Sequence, residues 1–236
     1  MGTLIGVGVG PGDPELVTAR AGRVLAEADR VFAPATALDA VGRAESIVRQ
    51  AWPEVATERL AFEMSAGAGR SAALAAAADR VVACLDAGET VAFVTLGDPN
   101  VYSTFPALAQ AVVALRPATD VRTVPGITAF QDLASRSGTV LLAGTEHLRL
   151  VTALDGPEVL DGVLDDATAA VVVYKGGRHL PAVAKRLADA GRLDGAVAGE
   201  LLGLPGERVG PAADLAAGPA SYLVTLVVPP AGRPPA

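Results

Sequence analysis

The residues with the greatest chemical potential in this sequence lie in four short glycine- and proline-rich turns. Leu96-Gly97-Asp98-Pro99-Asn100-Val101-Tyr102 sets a carboxylate between a glycine and a proline. Glycine permits a close backbone approach or a positive φ, and proline stiffens the following bond. Asp98 can accept hydrogen bonds from a ligand hydroxyl or ammonium; its alternative role is a turn residue that bonds its own backbone. Gly10-Pro11-Gly12-Asp13 offers a side-chain-free approach to a ligand. Pro125-Gly126-Ile127-Thr128-Ala129 sets Thr128 to cap a helix, where an exposed amide suits a carboxylate. Lys175-Gly176-Gly177-Arg178 brings two cations to one turn, fit for a carboxylate-rich ligand or for plain solvation. Gly6, Gly8 and Gly10 do not complete the dinucleotide fingerprint: the third glycine falls on Pro11 or Asp13, and Pro34 stands where a ribose-binding acid would. His147 and His179 have no partner at metal-ligand spacing, so no metal is expected. Cys84 falls on the apolar face of a helix, and no Ser-His-Asp or Cys-His set is evident.

The elements that must position these turns follow from hydrophobic periodicity. Strands are expected at residues 3–8, 30–34, 90–95, 121–124, 148–152, 169–174, 195–200 and 221–228. Asp13 and Pro14 are expected to start a helix whose apolar face carries Leu16, Val17, Ala21, Val24, Leu25 and Ala28. Further helices are predicted at residues 70–87, ended by Gly88, then around Leu108, Ala111, Val112 and Leu115, and at 128–137 and 180–190. Ser103 and Thr104 are the expected caps of the helix that begins before Pro106. Strands alternating with helices imply parallel sheets in two α/β halves, divided near Arg116–Asp120 into residues 1–117 and 118–228. The proline-rich stretch 229–236 is expected to be a disordered tail. In such folds ligands bind beyond the carboxyl ends of strands, and all four turns fall there.

Composition narrows the partners. Of 236 residues, 51% are hydrophobic and 19% charged, which excludes a disordered chain. A net charge of −7 argues against broad nucleic-acid binding. No apolar run approaches the roughly 18 residues of a membrane span. The single cysteine and the absence of a basic, then apolar, leader suit the cytoplasm.

Taken together, the turns resemble those of the tetrapyrrole methylase family. The marks are Gly8-Val9-Gly10-Pro11-Gly12-Asp13-Pro14-Glu15-Leu16-Val17-Thr18, then Gly97-Asp98-Pro99, then Pro125-Gly126-Ile127-Thr128-Ala129. Five stretches are similar to the branch that methylates precorrin-2 at C20. They are Val31-Phe32-Ala33-Pro34-Ala35, Leu60-Ala61-Phe62-Glu63-Met64, Thr95 to Phe105, Lys175 to Arg178, and Ser221-Tyr222. The resemblance spans residues 4–228. Glu63 departs from it, standing where proline is expected, and Gly176-Gly177 loosens a turn that usually carries a bulkier residue.

The resemblance implies an α/β fold of two α/β domains, with the cofactor in the interdomain cleft, and a homodimer. It implies S-adenosyl-L-methionine as methyl donor, a tetrapyrrole substrate, and no nucleic-acid or membrane partner. The implied reaction is C-methylation of precorrin-2 at C20 to precorrin-3A in cobalamin biosynthesis, with a cobalt-bearing substrate or another ring carbon as alternatives. Carried over by position, the cofactor contacts are Pro11, Leu96, Gly97, Asp98, Val101, Thr128, Ala129, Tyr174 and Leu202, with Tyr102, Ser103 and Thr104 close by. Lys175, Arg178 and Arg136 are candidates for the substrate carboxylates. The base that removes the ring proton stays unassigned, with Tyr102 and Glu146 as candidates. A nicotinamide oxidoreductase or a binding module without catalysis are the competing classes.

Overall fold

The computed structural model describes residues 2–62, 68–218 and 220–233. Glu63 and Met64 of the family-like stretch lie outside the described residues, as do 234–236. The chain divides into two compact units, Met1–Thr128 and Ala129–Ala236.

The first unit is a parallel five-stranded sheet. Its strands are β1 (Thr3–Gly8), β2 (Arg30–Ala35), β3 (Thr57–Ala61), β4 (Thr90–Thr95) and β5 (Asp120–Val124), in the order β3-β2-β4-β1-β5. Helices α1 (Ala19–Glu27), α2 (Arg43–Ala51), α3 (Ala68–Asp86) and α4 (Phe105–Leu115) cover it. The continuous apolar runs of β1 and β4 are what a sheet buried on both faces requires. On one face Leu4, Phe32, Val91 and Phe93 pack with α3 and α4 through Val81, Leu85, Phe105 and Leu108. On the other, Val7, Val31, Ala92 and Val94 pack with α1 and α2 through Ala21, Leu25, Ile47 and Val48. Each fully buried Leu, Phe or Val is worth roughly 1.5–3 kcal/mol. Gly6 permits this packing, since a Cβ there would lie 2.6 Å from the Phe105 ring.

The second unit holds β6 (His147–Thr152), β7 (Ala169–Tyr174), β8 (Val197–Glu200), β9 (Arg208–Pro211) and β10 (Val224–Val228), in the order β6-β7-β10-β8-β9. Helix α6 (Leu180–Asp189) and the short α7 (Ala212–Leu215) pack on one face through Leu180, Val183, Leu187 and Leu215. Helix α5 (Ala129–Ser137) packs Leu133 on the other.

Four expectations are corrected. The division falls after Thr128, not near Pro117, because Asp120–Val124 joins the first sheet as the parallel partner of β1. The second sheet is mixed: β10 runs antiparallel to both β7 and β8, and β9 antiparallel to β8. The helix expected from Asp13 breaks in two. Asp13 caps a single 3₁₀ turn, and α1 restarts where Thr18 accepts the Ala21 amide at 3.2 Å. The tail is anchored as far as Arg233. Pro229 O accepts from buried Arg192 at 2.8 Å, Ala231 N donates to Ala167 O at 2.8 Å, and Arg233 pairs with Glu146. Sequence reading also missed α2, β3, β9 and α7, each nine residues or shorter.

One buried ion cluster ties α2 to β3. Glu45 is 0% exposed, and Arg59 donates to it at 2.6 and 3.0 Å while Arg49 lies at 2.6 Å. Burial pushes its carboxyl pKa up, but the Arg59 hydrogen bonds and the Arg49 charge outweigh that and hold it below the ordinary carboxylate value. A depressed carboxyl adds stability that is present above its unfolded pKa and is lost as pH falls through the folded one. Glu45→Gln is therefore expected to cost roughly 3–5 kcal/mol near neutral pH. The gap to wild type should narrow in acid, as read by urea unfolding across pH; a gap that stays constant would refute the charge argument.

Candidate functional site

In the first unit the ends of β4, β1 and β5 lie side by side and point the same way, so their three loops converge. Gly97 N donates to Gly10 O at 2.7 Å, and Val9 N to Thr95 O at 3.0 Å. Asp98 joins the third loop. Its Oδ1 accepts from Asn100 N at 2.8 Å, the expected turn bond, and its Oδ2 accepts from Gly126 N at 3.1 Å. The carboxylate thus spans from the β4 loop to the β5 loop. Such closeness demands glycine: a Cβ on Gly126 would lie 2.1 Å from Gly97 O, and one on Gly8 would lie 2.5 Å from it. Gly97 itself has φ +69, and a Cβ there would meet nothing within 4 Å. The backbone at Gly97 therefore borders open space that no side chain fills.

Each residue carried over from the resemblance can be placed. Pro11 is buried on the β1 loop; Leu96, Gly97, Asp98 and Val101 are partly buried on the β4 loop; Thr128 is 8% exposed at the end of the β5 loop. Tyr102 is 47% exposed and has φ 48, a conformation uncommon outside glycine. Capping at α4 differs from expectation. Thr104 occupies the cap position without a side-chain bond, whereas Ser103 Oγ accepts from Phe105 N at 3.2 Å and donates to Pro99 O at 2.6 Å. Thr104 sits in the helical region of φ/ψ, which turns its hydroxyl away from the first amides.

In the second unit Ala129, Tyr174 and Leu202 share one apolar cluster around Leu133 and Val172. The Tyr174 hydroxyl accepts from Phe130 N at 3.3 Å, and Leu202 is 4% exposed. Beyond Tyr174 the chain turns through Lys175 at φ 60. The Lys175 ammonium lies 5.6 Å from the centre of the Tyr222 ring, and Arg178 donates to Leu154 O at 2.9 Å. Arg178 also borders an open concavity of about 520 Å³ lined by Gly177, Pro181, Ala216, Ala217, Gly218 and Ala220. Gly177 has no room for a side chain, since a Cβ would fall 1.9 Å from Ser221 O. Sequence reading missed buried Glu200, which accepts from Ser221 N and from Arg208 and so fixes the Ser221-Tyr222 segment beside that turn.

Two candidates stand apart. Arg136 is engaged by Asp132 at 2.8 Å and Glu207 at 3.0 Å, so its charge is already met within the fold. Glu146 precedes the first residue of β6, level with Ala169, and so lies at the opposite end of the sheet from Tyr174, roughly 20 Å away. The Ala143 amide and Arg233 hold its carboxyl below the ordinary range, which makes it a poor base. Among the described residues no group of three or more His, Cys, Asp or Glu side chains could hold a metal ion. None of the described helices is long and apolar enough to cross a membrane.

Comparison with known proteins gives the family and the fold. Residues 3–216 match the family of Tetrapyrrole (Corrin/Porphyrin) Methylases. The chain is 37% identical over 244 residues to cobalamin biosynthesis protein CobIJ of Mycobacterium tuberculosis, a match over 98% of this chain and 46% of that protein. The chain thus spans about half the length of that relative. It is 34% identical over 209 residues to precorrin-2 C(20)-methyltransferase of Sinorhizobium sp, covering 84% of this chain and 82% of the relative. It is 32% identical over 209 residues to cobalt-precorrin-2 C(20)-methyltransferase of Salmonella typhimurium, covering 88% and 86%. Among solved structures, a putative cobalamin synthesis related protein (CobF) from Corynebacterium diphtheriae superposes with TM-score 0.71 at 21% identity, covering 98% of this chain and 99% of that one. A uroporphyrin-III C-methyl transferase from Thermus thermophilus, complexed with S-adenyl homocysteine, superposes with TM-score 0.65 at 22% identity, covering 96% and 92%.

The loop contacts predict an order of sensitivity. Gly126→Ala drives a methyl into the Gly97 carbonyl, a backbone atom that no rotamer change can move, and is expected to cost roughly 3 kcal/mol or more, the upper end of overpacking. Gly97→Ala meets open space and bears only the left-handed backbone penalty of about 1–2 kcal/mol. Urea unfolding should rank Gly126→Ala as the more destabilised; the reverse order would show that the three loops are not packed as described.

Proposed function

The chain belongs to the tetrapyrrole methylase family, and from that membership we propose that it transfers a methyl group from S-adenosylmethionine to C20 of precorrin-2, in cobalamin biosynthesis. The observation that carries the cofactor part is the convergence of three side-chain-free loops at the ends of β4, β1 and β5, which we read as a cradle for the cofactor. The open space at Gly97 and the pinned Asp98 fit a ligand with a flat ring and polar substituents. Two relatives named for C20 methylation support the ring position. The Salmonella relative, named for cobalt-precorrin-2, supports a second reading in which the substrate already carries cobalt.

Bound in such a cradle, S-adenosylmethionine supplies an already activated methyl group with a neutral leaving group. The protein then has to align donor and ring carbon and exclude water, and good alignment is worth roughly 7–11 kcal/mol. Pro11, Leu96, Gly97, Asp98, Val101, Thr128, Ala129, Tyr174 and Leu202 are proposed to contact the cofactor, with Tyr102, Ser103 and Thr104 bordering it. Lys175 and Arg178 are proposed to meet the carboxylates of the substrate, a local reversal of charge in a chain of net −7. With Glu146 remote and ion-paired, Tyr102 remains as the protein's candidate base, beside water or a carboxylate of the substrate itself. A homodimer is also proposed, on the family resemblance alone; light scattering that gives a monomer mass at micromolar concentration would remove it.

Calorimetry should show S-adenosylhomocysteine binding. Asp98→Ala should weaken it by the roughly 1.5–3 kcal/mol of a lost hydrogen bond between the carboxylate and a ligand donor; unchanged affinity in a folded variant would remove Asp98 from the site. Mass spectrometry after turnover should show one added methyl on precorrin-2 or on its cobalt form, which separates the two readings. Methylation of neither would overturn both. Arg178→Ala should raise KM for the tetrapyrrole more than it lowers kcat, and more so as salt falls. An unchanged KM would assign this turn to the fold.

A further inference from the structure

The first sheet forks at its carboxyl edge. Strands β2 and β4 pair from Arg30 and Val91 only as far as Phe32 and Phe93. Beyond that level β2 runs on to Ala35 against β3, and β4 runs on to Thr95 against β1. Pro34 has no amide N–H with which to extend the ladder. The two strands then hand the chain to opposite faces. Strand β2 leads to α2, which packs Ile47 and Val48 in one cluster, and β4 leads to α4, which packs Phe105 and Leu108 in the other. Such a switch point opens a crevice outside the strand ends, where ligands of α/β folds bind. The neighbouring switch point, between β4 and β1, is bridged by the Gly97 amide on Gly10 O.

Hydrophobic side chains stand unburied on both lips of this crevice. Among the described residues of the first unit, the three most exposed large hydrophobic residues are Leu38 at 60%, Val41 at 49% and Tyr102 at 47%. Leu38 and Val41 lie on the β2 loop, and Tyr102 lies on the β4 loop. The β2 loop is held by the buried ion cluster: Arg59 donates to Leu38 O at 2.8 Å, and the Gly42 amide donates to Glu45 at 3.4 Å. Its backbone is thus anchored while its apolar side chains stay in water, an arrangement that adds no hydrophobic stability. Arg43 follows, exposed, at the first position of α2, where a positive charge opposes the helix dipole. Glu45 is engaged by Arg49 and Arg59, and Asp39, the one acid of the loop, acts on Arg59. No acid among the described residues pairs with Arg43.

We propose that the crevice between the β2 and β4 loops receives the macrocycle of the acidic substrate, with Leu38 and Val41 against its apolar face and Arg43 on a peripheral carboxylate. The proposal rests on the tetrapyrrole reading above and adds to it the strands between which the ring enters. The lining matches that chemical class. A flat apolar ring needs apolar walls, and its acidic rim needs a cation that the fold has not already neutralised. Leu38 and Val41 are thereby specificity residues for the ring, and Arg43 sets its orientation.

The test is steady-state methylation of precorrin-2 and of its cobalt form, with S-adenosylhomocysteine affinity measured by calorimetry in parallel. The double variant Leu38→Ser with Val41→Ser is expected to raise KM for the tetrapyrrole about tenfold and to leave S-adenosylhomocysteine affinity unchanged. Arg43→Ala should raise KM severalfold, and by less as salt rises; Arg43→Lys should recover part of the loss. If the double variant does not fold, Leu38→Ala and Val41→Ala taken singly make the same comparison. An unchanged KM in the serine variant or in Arg43→Ala, or an equal loss of cofactor affinity, would overturn the crevice and leave the tetrapyrrole reading standing. A wild-type chain that methylates neither tetrapyrrole would overturn that reading and the crevice with it.

Discussion

Everything at the candidate site depends on three backbones meeting without side chains between them. Gly8, Gly97 and Gly126 approach so closely that a single methyl at Gly8 or Gly126 would sit inside the Gly97 carbonyl. Asp98 then holds the arrangement by accepting the Gly126 amide. Parallel strands make this possible, because β4, β1 and β5 all deliver their carboxyl ends to one edge. Glycine removes the steric barrier, and a charged acceptor supplies the hydrogen bond that packing alone would not.

Elsewhere the chain spends buried charge on fixing short connections. Glu45 gathers Arg49, Arg59 and the Gly42 amide, and so ties the start of α2 to β3. Arg192, 5% exposed, donates to the carbonyls of Leu164, Asp166, Ala169 and Pro229. Burial lowers its pKa from the ordinary arginine value against the opposing charge of Asp166, and four carbonyls satisfy the guanidinium. That contact holds the chain after β10 in place. Glu200 acts likewise between Arg208 and the Ser221 amide. Breaking such a group leaves its partners buried and unpaired, which costs more than the pair contributes when intact.

The distribution of arginine shows how weakly residue type alone speaks for function. Arg136 and Arg178 both read as anion-binding candidates from sequence. The fold gives Arg136 two carboxylates and gives Arg178 one carbonyl beside an open concavity. The difference is what each meets in three dimensions. Glu146 teaches the same lesson, since it lies near β6 in sequence but at the end of the strand remote from Tyr174.

The sequence by itself determined the strands whose apolar runs are buried on both faces. Thr3–Gly8, Thr90–Thr95 and Ala169–Tyr174 stand where hydrophobic runs and flanking glycines put them. It also determined the loops of the site, because Gly-Asp-Pro and Pro-Gly punctuate the ends of those strands through local backbone rules that need no partner. Tertiary structure decided the rest. It drew β5 into the first sheet beside β1, turned β10 antiparallel, and anchored Pro229 on Arg192. It also gave Asp98 its second bond across the end of β1 and left Thr95 without one. Those outcomes depend on which backbone group arrives opposite which across long stretches of chain, and neither hydrophobic period nor turn chemistry encodes that pairing.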